Sequence, residues 1–565
     1  MCGIWSYIKL KNNKNCINRY NLYEDFMKIK NRGPEYSSFN IYNNDIYIGF
    51  HRLSIMNLDF NANQPYIIQN EEKTIIFICN GEIYNFNELN VEHNLNISDN
   101  SDCLTIPKLY LKYCYNDFIK LFNNNIKGEF AFLLYEFDKM QNLKNLIIGR
   151  DTIGIRPLYY HHPTEYSNAL IFSSEIKGMT FFEENITEFQ PGQIININMD
   201  NLNINTFNYT TLYNIQSNFN YDINEKLIYV YLDNIKNSII NSIKRRLISD
   251  RPIAFLLSGG VDSSLIASLA SQLIDKPIYT YCCGFEGGTD LEYAKKVATH
   301  IGSIHTEVYL NPEECLESIK DVIYTIETWD TTTIRASVGQ YLISKYISNN
   351  SDAKVVMVGE GPDEVCSSYL FNFYAPNGNE LHETAIDYVK KIHMYDGRRA
   401  DRCISNWGLE ARIALLDPEF ISAYWEIPSE WRHPKYDGFN NIIKNGFNNN
   451  IEKWWLRKAF EDSNILPSEV LWRKKEAFSD GISKKNKSWF EMINDYIYNN
   501  HKNIVDNYIK SNEFPSIEAF YYKTIFRNYF NNRDYIIPNY WQPKWINNNN
   551  EYIDPSARIL DVYND

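Results

Sequence analysis

The sequence predicts stacked sheets in its first half and a doubly wound parallel α/β sheet in its second. Three observations carry this. Up to about residue 200, strand-like runs are separated by turns, with few helical periods. From residue 253 onward, short apolar runs alternate with helical periods. Between the two lies 198–221, a polar, Asn-rich stretch without a sustained period, where a boundary is expected. The expected units are therefore residues 1–200 and 222–545. At 565 residues the chain exceeds one ordinary domain, and 44% apolar content is enough for sizeable cores.

Composition narrows the function classes. No apolar run reaches bilayer length, and the N-terminus lacks a secretory pattern, so a cytoplasmic protein without membrane contact is expected. A net charge of −14 with no basic patch argues against nucleic acid as a partner. The ten cysteines lack metal-ligand spacing, and the vicinal pair Cys282 and Cys283 reads as reduced core.

The second half is organised around AFLLSGGVDSSL at 254–265. An apolar strand, a Gly-rich turn and a helix aim backbone N–H groups and a helix N-terminus at an anion. Ser258, Ser263 and Ser264 add hydroxyl donors around Gly259 and Gly260. Asp262 suits Mg²⁺ beside a phosphate. The Lys of the mononucleotide P-loop is missing. SGGxDSS resembles the loop of ATP pyrophosphatases, which cut ATP at the α-phosphorus. Next, VGEGPDE at 358–364 follows a strand and gathers three carboxylates in a turn, fit for metal or base work. The helical spacing of Leu227, Val230, Tyr231, Ile235, Ile239, Ile243 and Leu247 predicts the helix leading into the 253 strand.

In the first half Cys2 follows the initiator Met. Methionine removal would give it a free α-amino group, a base on the same residue as the thiol. Taken singly, Cys2 is an accident of position, Arg52 a surface ion pair, Asn80-Gly81 a hairpin turn and Asp102 a helix cap.

Together, MCGI, HRLSI, NGEIYN, SDC, GEFAF, GRDTIGIRPLYY and FSSEIKG resemble the glutaminase domain of class II amidotransferases, with an αββα N-terminal-nucleophile hydrolase sandwich. More narrowly, they resemble glutamine-hydrolysing asparagine synthetases, whose second domain has an adenine-nucleotide α-hydrolase-like fold. The resemblance implies that Cys2 attacks the glutamine amide, while Asn80 and the Gly81 N–H form an oxyanion hole. It gives the glutamine α-carboxylate to Arg52 and the α-ammonium to Glu82 and Asp102. Arg150, Asp151 and Glu175 read as structural.

In the second half it implies ATP contacts at Leu257, Ser258, Gly259, Gly260, Asp262, Ser263, Ser264, Gly284, Asp290, Gly359 and Glu360. Glu360 would accept the proton of attacking ammonia, Asp262 and Asp363 would hold Mg²⁺, and Lys475 would meet the α-phosphate. Thr332 and Arg335 of TTTIRAS, with Asp396 and Arg399 after HMY, would bind aspartate. WGLEAR at 407–412 reads as packing. Pro362 and Cys366-Ser367-Ser368 depart from the family text. The match continues through WRKKEAFSDG at 472–481 to DPSAR at 554–558.

The implied reaction converts aspartate to asparagine with ATP and glutamine or ammonia, through β-aspartyl-AMP, releasing AMP, pyrophosphate and glutamate. A dry passage for ammonia and a homodimer are also implied. Two rivals share parts of this text: other class II amidotransferases, which lack SGGVDSS, and sister ligases acting on a different carboxylate, which often lose the N-terminal Cys. A non-catalytic nucleotide-binding protein on this scaffold is a third alternative.

Overall fold

The computed structural model describes residues 1–10, 17–98, 100–161, 163, 168–182, 185–216, 224–439, 442, 451–475, 488–511, 514–537 and 541–545. The motif portions 476–481 and 554–558, and residues 217–221 of the expected boundary, lie outside the described residues.

Two six-stranded antiparallel sheets face each other in the first half. One contains β1 (Gly3–Lys9), β2 (Tyr36–Tyr42), β3 (Ile46–Arg52), β8 (Tyr159–His161), β9 (Ala169–Ser173) and β10 (Ile186–Glu188). The other contains β4 (Tyr66–Gln69), β5 (Lys73–Ile83), β6 (Gly128–Asp138), β7 (Leu143–Arg150), β11 (Gln193–Asn198) and β12 (Ile204–Asn208). The period-two alternation of the strands explains the layering. Ile4 and Ile8 of β1 and Ile48 and Phe50 of β3 meet Ile76 and Ile78 of β5 and Leu133 of β6 between the sheets. Their neighbours Trp5 and Tyr7 point the other way, onto Leu22 and Phe26 of α1 (Arg19–Met27). Ile75, Phe77 and Cys79 likewise turn outward, onto α2 (Phe86–Glu92), α3 (Thr105–Lys112) and α4 (Tyr115–Asn124) through Leu89, Ile106 and Phe118. The result is the expected αββα sandwich.

In the second half α5 (Glu225–Arg246) precedes a five-stranded parallel sheet. Its buried stripe is Ile228, Tyr231, Leu232, Ile235, Ile239 and Ile243; Val230, expected on that face, is exposed instead. The sheet runs β15 (Ile304–Tyr309), β14 (Tyr279–Gly284), β13 (Ile253–Leu256), β16 (Val355–Val358) and β17 (Glu410–Ile413). Around it lie α6 (Val261–Leu273), α7 (Thr289–Ile301), α8 (Pro312–Ile326) and α9 (Thr331–Asn350). Strand order reverses between β13 and β16, which opens a crevice at their carboxyl ends. Cys282 and Cys283 lie in β14 as free, buried thiols.

The 407–412 segment is a correction. It is not packing alone: Glu410 and Arg412 lie on β17 and reach into the first half. They belong to a buried seam of charge. Arg32 donates to Asp401 at 2.7 Å, to Glu175 at 2.8 Å and to the Cys2 carbonyl at 3.0 Å. Arg398 pairs with Glu188, and Arg246 with Glu129. The Glu327 carboxylate, fully buried, accepts the N–H groups of Ile176 (2.9 Å) and Lys177 (2.8 Å) and faces Arg402 at 3.2 Å. Removing one member of such a set strands its partners without water. Glu327→Ala is expected to cost about 3–5 kcal/mol, read as a lower midpoint of urea unfolding. An unchanged midpoint would show that the seam contributes nothing to stability.

Candidate active sites

Cys2 immediately precedes β1 and sits against β5 of the opposing sheet. Its N–H donates to Asn80 Oδ1 at 3.0 Å, and its Sγ lies 3.8 Å from the Leu53 carbonyl. Burial pushes the thiol up to about 11, against the pull of the nearby N-terminal amine. That amine, on Met1, is itself buried, 3.5 Å from Glu410 Oε2. Because Oδ1 of Asn80 is taken by Cys2, its Nδ2 is a buried donor with no hydrogen-bond partner. Asn80 and Gly81 are not a hairpin turn but the end of β5, paired with Ala131 and Phe130. Glycine is required there: φ is +148°, and a Cβ would stand 2.1 Å from the Glu129 carbonyl oxygen.

The charges around this point are only partly neutralised within the protein. Arg52 ends β3 and is 5% exposed, yet its hydrogen-bond partners among the described residues are neutral oxygens: the carbonyls of Met56, Asn57 and Asp59 and the Asn63 side chain. Glu82 and Asp102 are both buried. Burial, and then the charge of Asp102, raises Glu82 well above the carboxylate range. Asp102 is raised to about 6, chiefly by burial, although it accepts the Ile83 N–H at 2.7 Å. Arg412 approaches Glu82 to only 3.8 Å. One buried cation facing neutral oxygens and two buried carboxylates short of a cation complement an amino-acid zwitterion.

The second site fills the crevice after β13 and β16. Gly259 stands at φ +73°, and a Cβ there would lie 2.4 Å from Tyr293 Cβ, so only glycine lets the loop turn tightly into α6. The Ser263 hydroxyl accepts the Ser258 N–H at 3.1 Å and lies 3.0 Å from the Ser258 hydroxyl. This bonding shapes the loop ahead of the helix N-terminus. The cleft is lined by Ser258, Gly260, Asp262, Ser263, Asp290, Gly359, Glu360, Asp363, Asp396, Arg399 and Lys475, all expected from the sequence. Leu257, Gly259, Ser264 and Gly284 are not among the residues lining it, whereas Leu256 is. Burial raises Glu360, while Arg399 and a hydrogen bond from Gln340 (2.8 Å) pull it back.

Lys453 escaped the sequence reading. Its Nζ bridges Asp262 Oδ2 (2.5 Å) and Asp363 Oδ1 (2.6 Å), and Lys475 also meets Asp363. Burial disfavours the charge on Asp363, but Lys453 and Lys475 outweigh it and hold this carboxyl well below its usual range. Lys453 stands at φ +58°, after a stretch with no periodic signal, and its partners are remote in sequence. Nothing local marks it. Asp262 Oδ1 is buried without a hydrogen-bond partner. Two convergent carboxylates with one free oxygen fit Mg²⁺, which takes one or two carboxylates and completes its shell with phosphate and water.

The aspartate set divides. Asp396 lines both the nucleotide cleft and an adjoining one, where Thr332 stands with Glu364 and Tyr369. Arg399 pairs with Asp396 at 3.3 Å. Arg335 is apart from both clefts: its guanidinium makes a bidentate pair with the buried Glu518 at 2.5 and 2.8 Å. The Pro362 departure costs little locally. Pro362 is the first residue of α10 (Pro362–Val365), where the lost N–H had no helical acceptor, and the Ser368 hydroxyl donates to Asp363 instead.

Comparison with known proteins agrees with this pairing of sites. A family model described as a glutamine amidotransferase domain matches residues 1–210, and one described as asparagine synthase matches 234–387 and 374–546. The chain is 36% identical over 595 aligned positions to the human protein named glutamine-hydrolyzing asparagine synthetase, covering 100% of this chain and 99% of that one. The rat protein of the same name is 37% identical with the same coverage, and the chicken protein 34% over 600 positions, again covering 100% and 99%. On these matches, and on two sites held in one scaffold, the chain belongs to the family of glutamine-hydrolysing asparagine synthetases.

Proposed function

We propose that the chain converts aspartate to asparagine with ATP, taking nitrogen from glutamine or ammonia, and that its two units, residues 1–200 and 222–545, divide the work. The observation that carries this reading is the zwitterion-shaped charge pattern around Cys2 on the same scaffold as the SGGVDSS cleft.

In the first unit, Cys2 with its methionine removed attacks the glutamine carboxamide carbon, its own amine taking the thiol proton. The unpartnered Asn80 Nδ2 and the Gly81 N–H stabilise the oxyanion. Arg52 takes the α-carboxylate; no carboxylate of the protein is recorded against it among the described residues. Glu82 and Asp102 take the α-ammonium. The C–N bond breaks, ammonia leaves, and water then releases glutamate from the thioester.

In the second unit, Ser258, Gly259, Gly260, Ser263 and Ser264 shape the phosphate loop, and Leu257, Gly284, Asp290 and Gly359 its surroundings. Lys453 and Lys475 offset charge as the aspartate β-carboxylate attacks the α-phosphorus and pyrophosphate departs. Mg²⁺ on Asp262 and Asp363 would neutralise the triphosphate when bound. Thr332 and Asp396 hold aspartate, with Arg399 positioning Asp396; Arg335, occupied by Glu518, supports α9 rather than the substrate. Ammonia attacks the acyl adenylate, Glu360 accepts the surplus proton, and AMP leaves. We place the enzyme in the cytoplasm as a homodimer; no described helix is long and apolar enough to cross a membrane.

Cys2→Ala is expected to abolish glutamine-driven asparagine formation and leave ammonium-driven formation within about twofold. Equal loss with both donors would overturn the division of labour. A pH dependence follows from Asp102. Its folded pKa, near 6, lies above the ordinary carboxylate value, so the ionised form that binds the ammonium exists above pH 6 and is lost as pH falls through it. The glutaminase kcat/KM should therefore fall as pH drops through 6, and Asp102→Asn, which also removes the charge that raises Glu82, should displace that limb. A limb left in place in the variant would assign it to another group.

A further inference from the structure

Gln340 lies in the middle of α9, on the wall of the nucleotide cleft, and is 2% exposed. Its Nε2 donates to Glu360 Oε1 at 2.8 Å. An ionised carboxylate only accepts hydrogen bonds, so this contact decides which end of the amide faces Glu360. The amide's Oε1 is thereby left as an acceptor, and it is buried without a hydrogen-bond partner. A buried carbonyl oxygen with no donor is costly, which marks a place built for one.

The chemistry of the cleft narrows that donor. Phosphate and carboxylate groups are acceptors and would be repelled by both Glu360 and the Gln340 oxygen. Neutral ammonia carries three N–H donors and one lone pair. The lone pair must remain free for the acyl carbon, so the molecule has to be held by its N–H groups.

We propose that Gln340 Oε1 and Glu360 form a paired acceptor site that receives ammonia through its N–H groups and leaves its lone pair free. The inference rests on the reading of Glu360 as proton acceptor. As the N–C bond forms, the nitrogen gains positive charge. One N–H proton passes to the Glu360 carboxylate, and AMP leaves with the electron pair of the breaking C–O bond. Gln340 holds a second N–H and does not change its protonation.

The test is Gln340→Met, which keeps length and removes the acceptor. The KM for ammonium should rise on the order of tenfold, from loss of one hydrogen bond, while the KM values for ATP and aspartate stay put. With glutamine as donor, glutamate formed per asparagine should rise. Glutaminase activity should be unchanged, which reports that the fold survives. Should the variant not fold, Gln340→Asn is expected to move the ammonium KM in the same direction. An unchanged ammonium KM overturns the proposal, and so does a rise confined to aspartate, which would give the oxygen to the aspartate ammonium. Glu360→Gln is run alongside. If it keeps the parental rate with ammonium, the reading of Glu360 fails; if it loses that rate while Gln340→Met does not change, the pairing alone fails.

Discussion

Arg32 binds three things at once: the backbone carbonyl of the nucleophile Cys2, the carboxylate of Glu175 on its own half, and that of Asp401 on the other. Both ion pairs are buried, where such a pair is strong only if every partner stays in place. The position of Cys2 therefore depends on residues 401–412 as much as on β1. Glu410, facing the N-terminal amine, and Arg412, beside Glu82, extend the same dependence to the glutamine anchors. The halves meet as one charged interior rather than as two domains on a tether.

The first site leaves certain charges uncompensated. In the first, Arg52 is met by carbonyls, and Glu82 and Asp102 are held up by burial. In the second, the logic is inverted. Lys453 bridges Asp262 and Asp363, and with Lys475 it keeps Asp363 ionised for the nucleotide, while burial still raises Asp262. Perturbed groups of this kind gather where chemistry is done. Here they gather at two places joined by a seam of ion pairs.

Much of this was legible in the sequence, because local pattern dictated it. The apolar runs 46–50 and 74–78 read as strands, and SGGVDSS as a strand, turn and helix with an anion site at its end. What stayed hidden was set by partners remote in sequence. Lys453 follows no motif and acts across the chain on Asp262. Gln340 is a polar residue inside a helix whose only sign of purpose is Glu360, twenty residues on. Arg335 lies in a matching motif, yet Glu518 takes it. WGLEAR at 407–412 looked like packing because two of the groups its charges face, the Met1 amine and Glu82, belong to the other half. Asn80-Gly81 reads locally as a turn, and only the pairing of β5 with β6 makes it strand.

The central claim, that buried charge holds the two active sites in one working geometry, is tested most directly by Asp401→Asn. This change removes one of the two carboxylates paired with Arg32, the one on the second half, and replaces no residue of either substrate site. The quantity to measure is glutamate formed per asparagine under saturating ATP and aspartate. The account expects each half-reaction to persist while this ratio climbs several-fold above the parental value. A parental ratio, with both half-reactions intact, would contradict it.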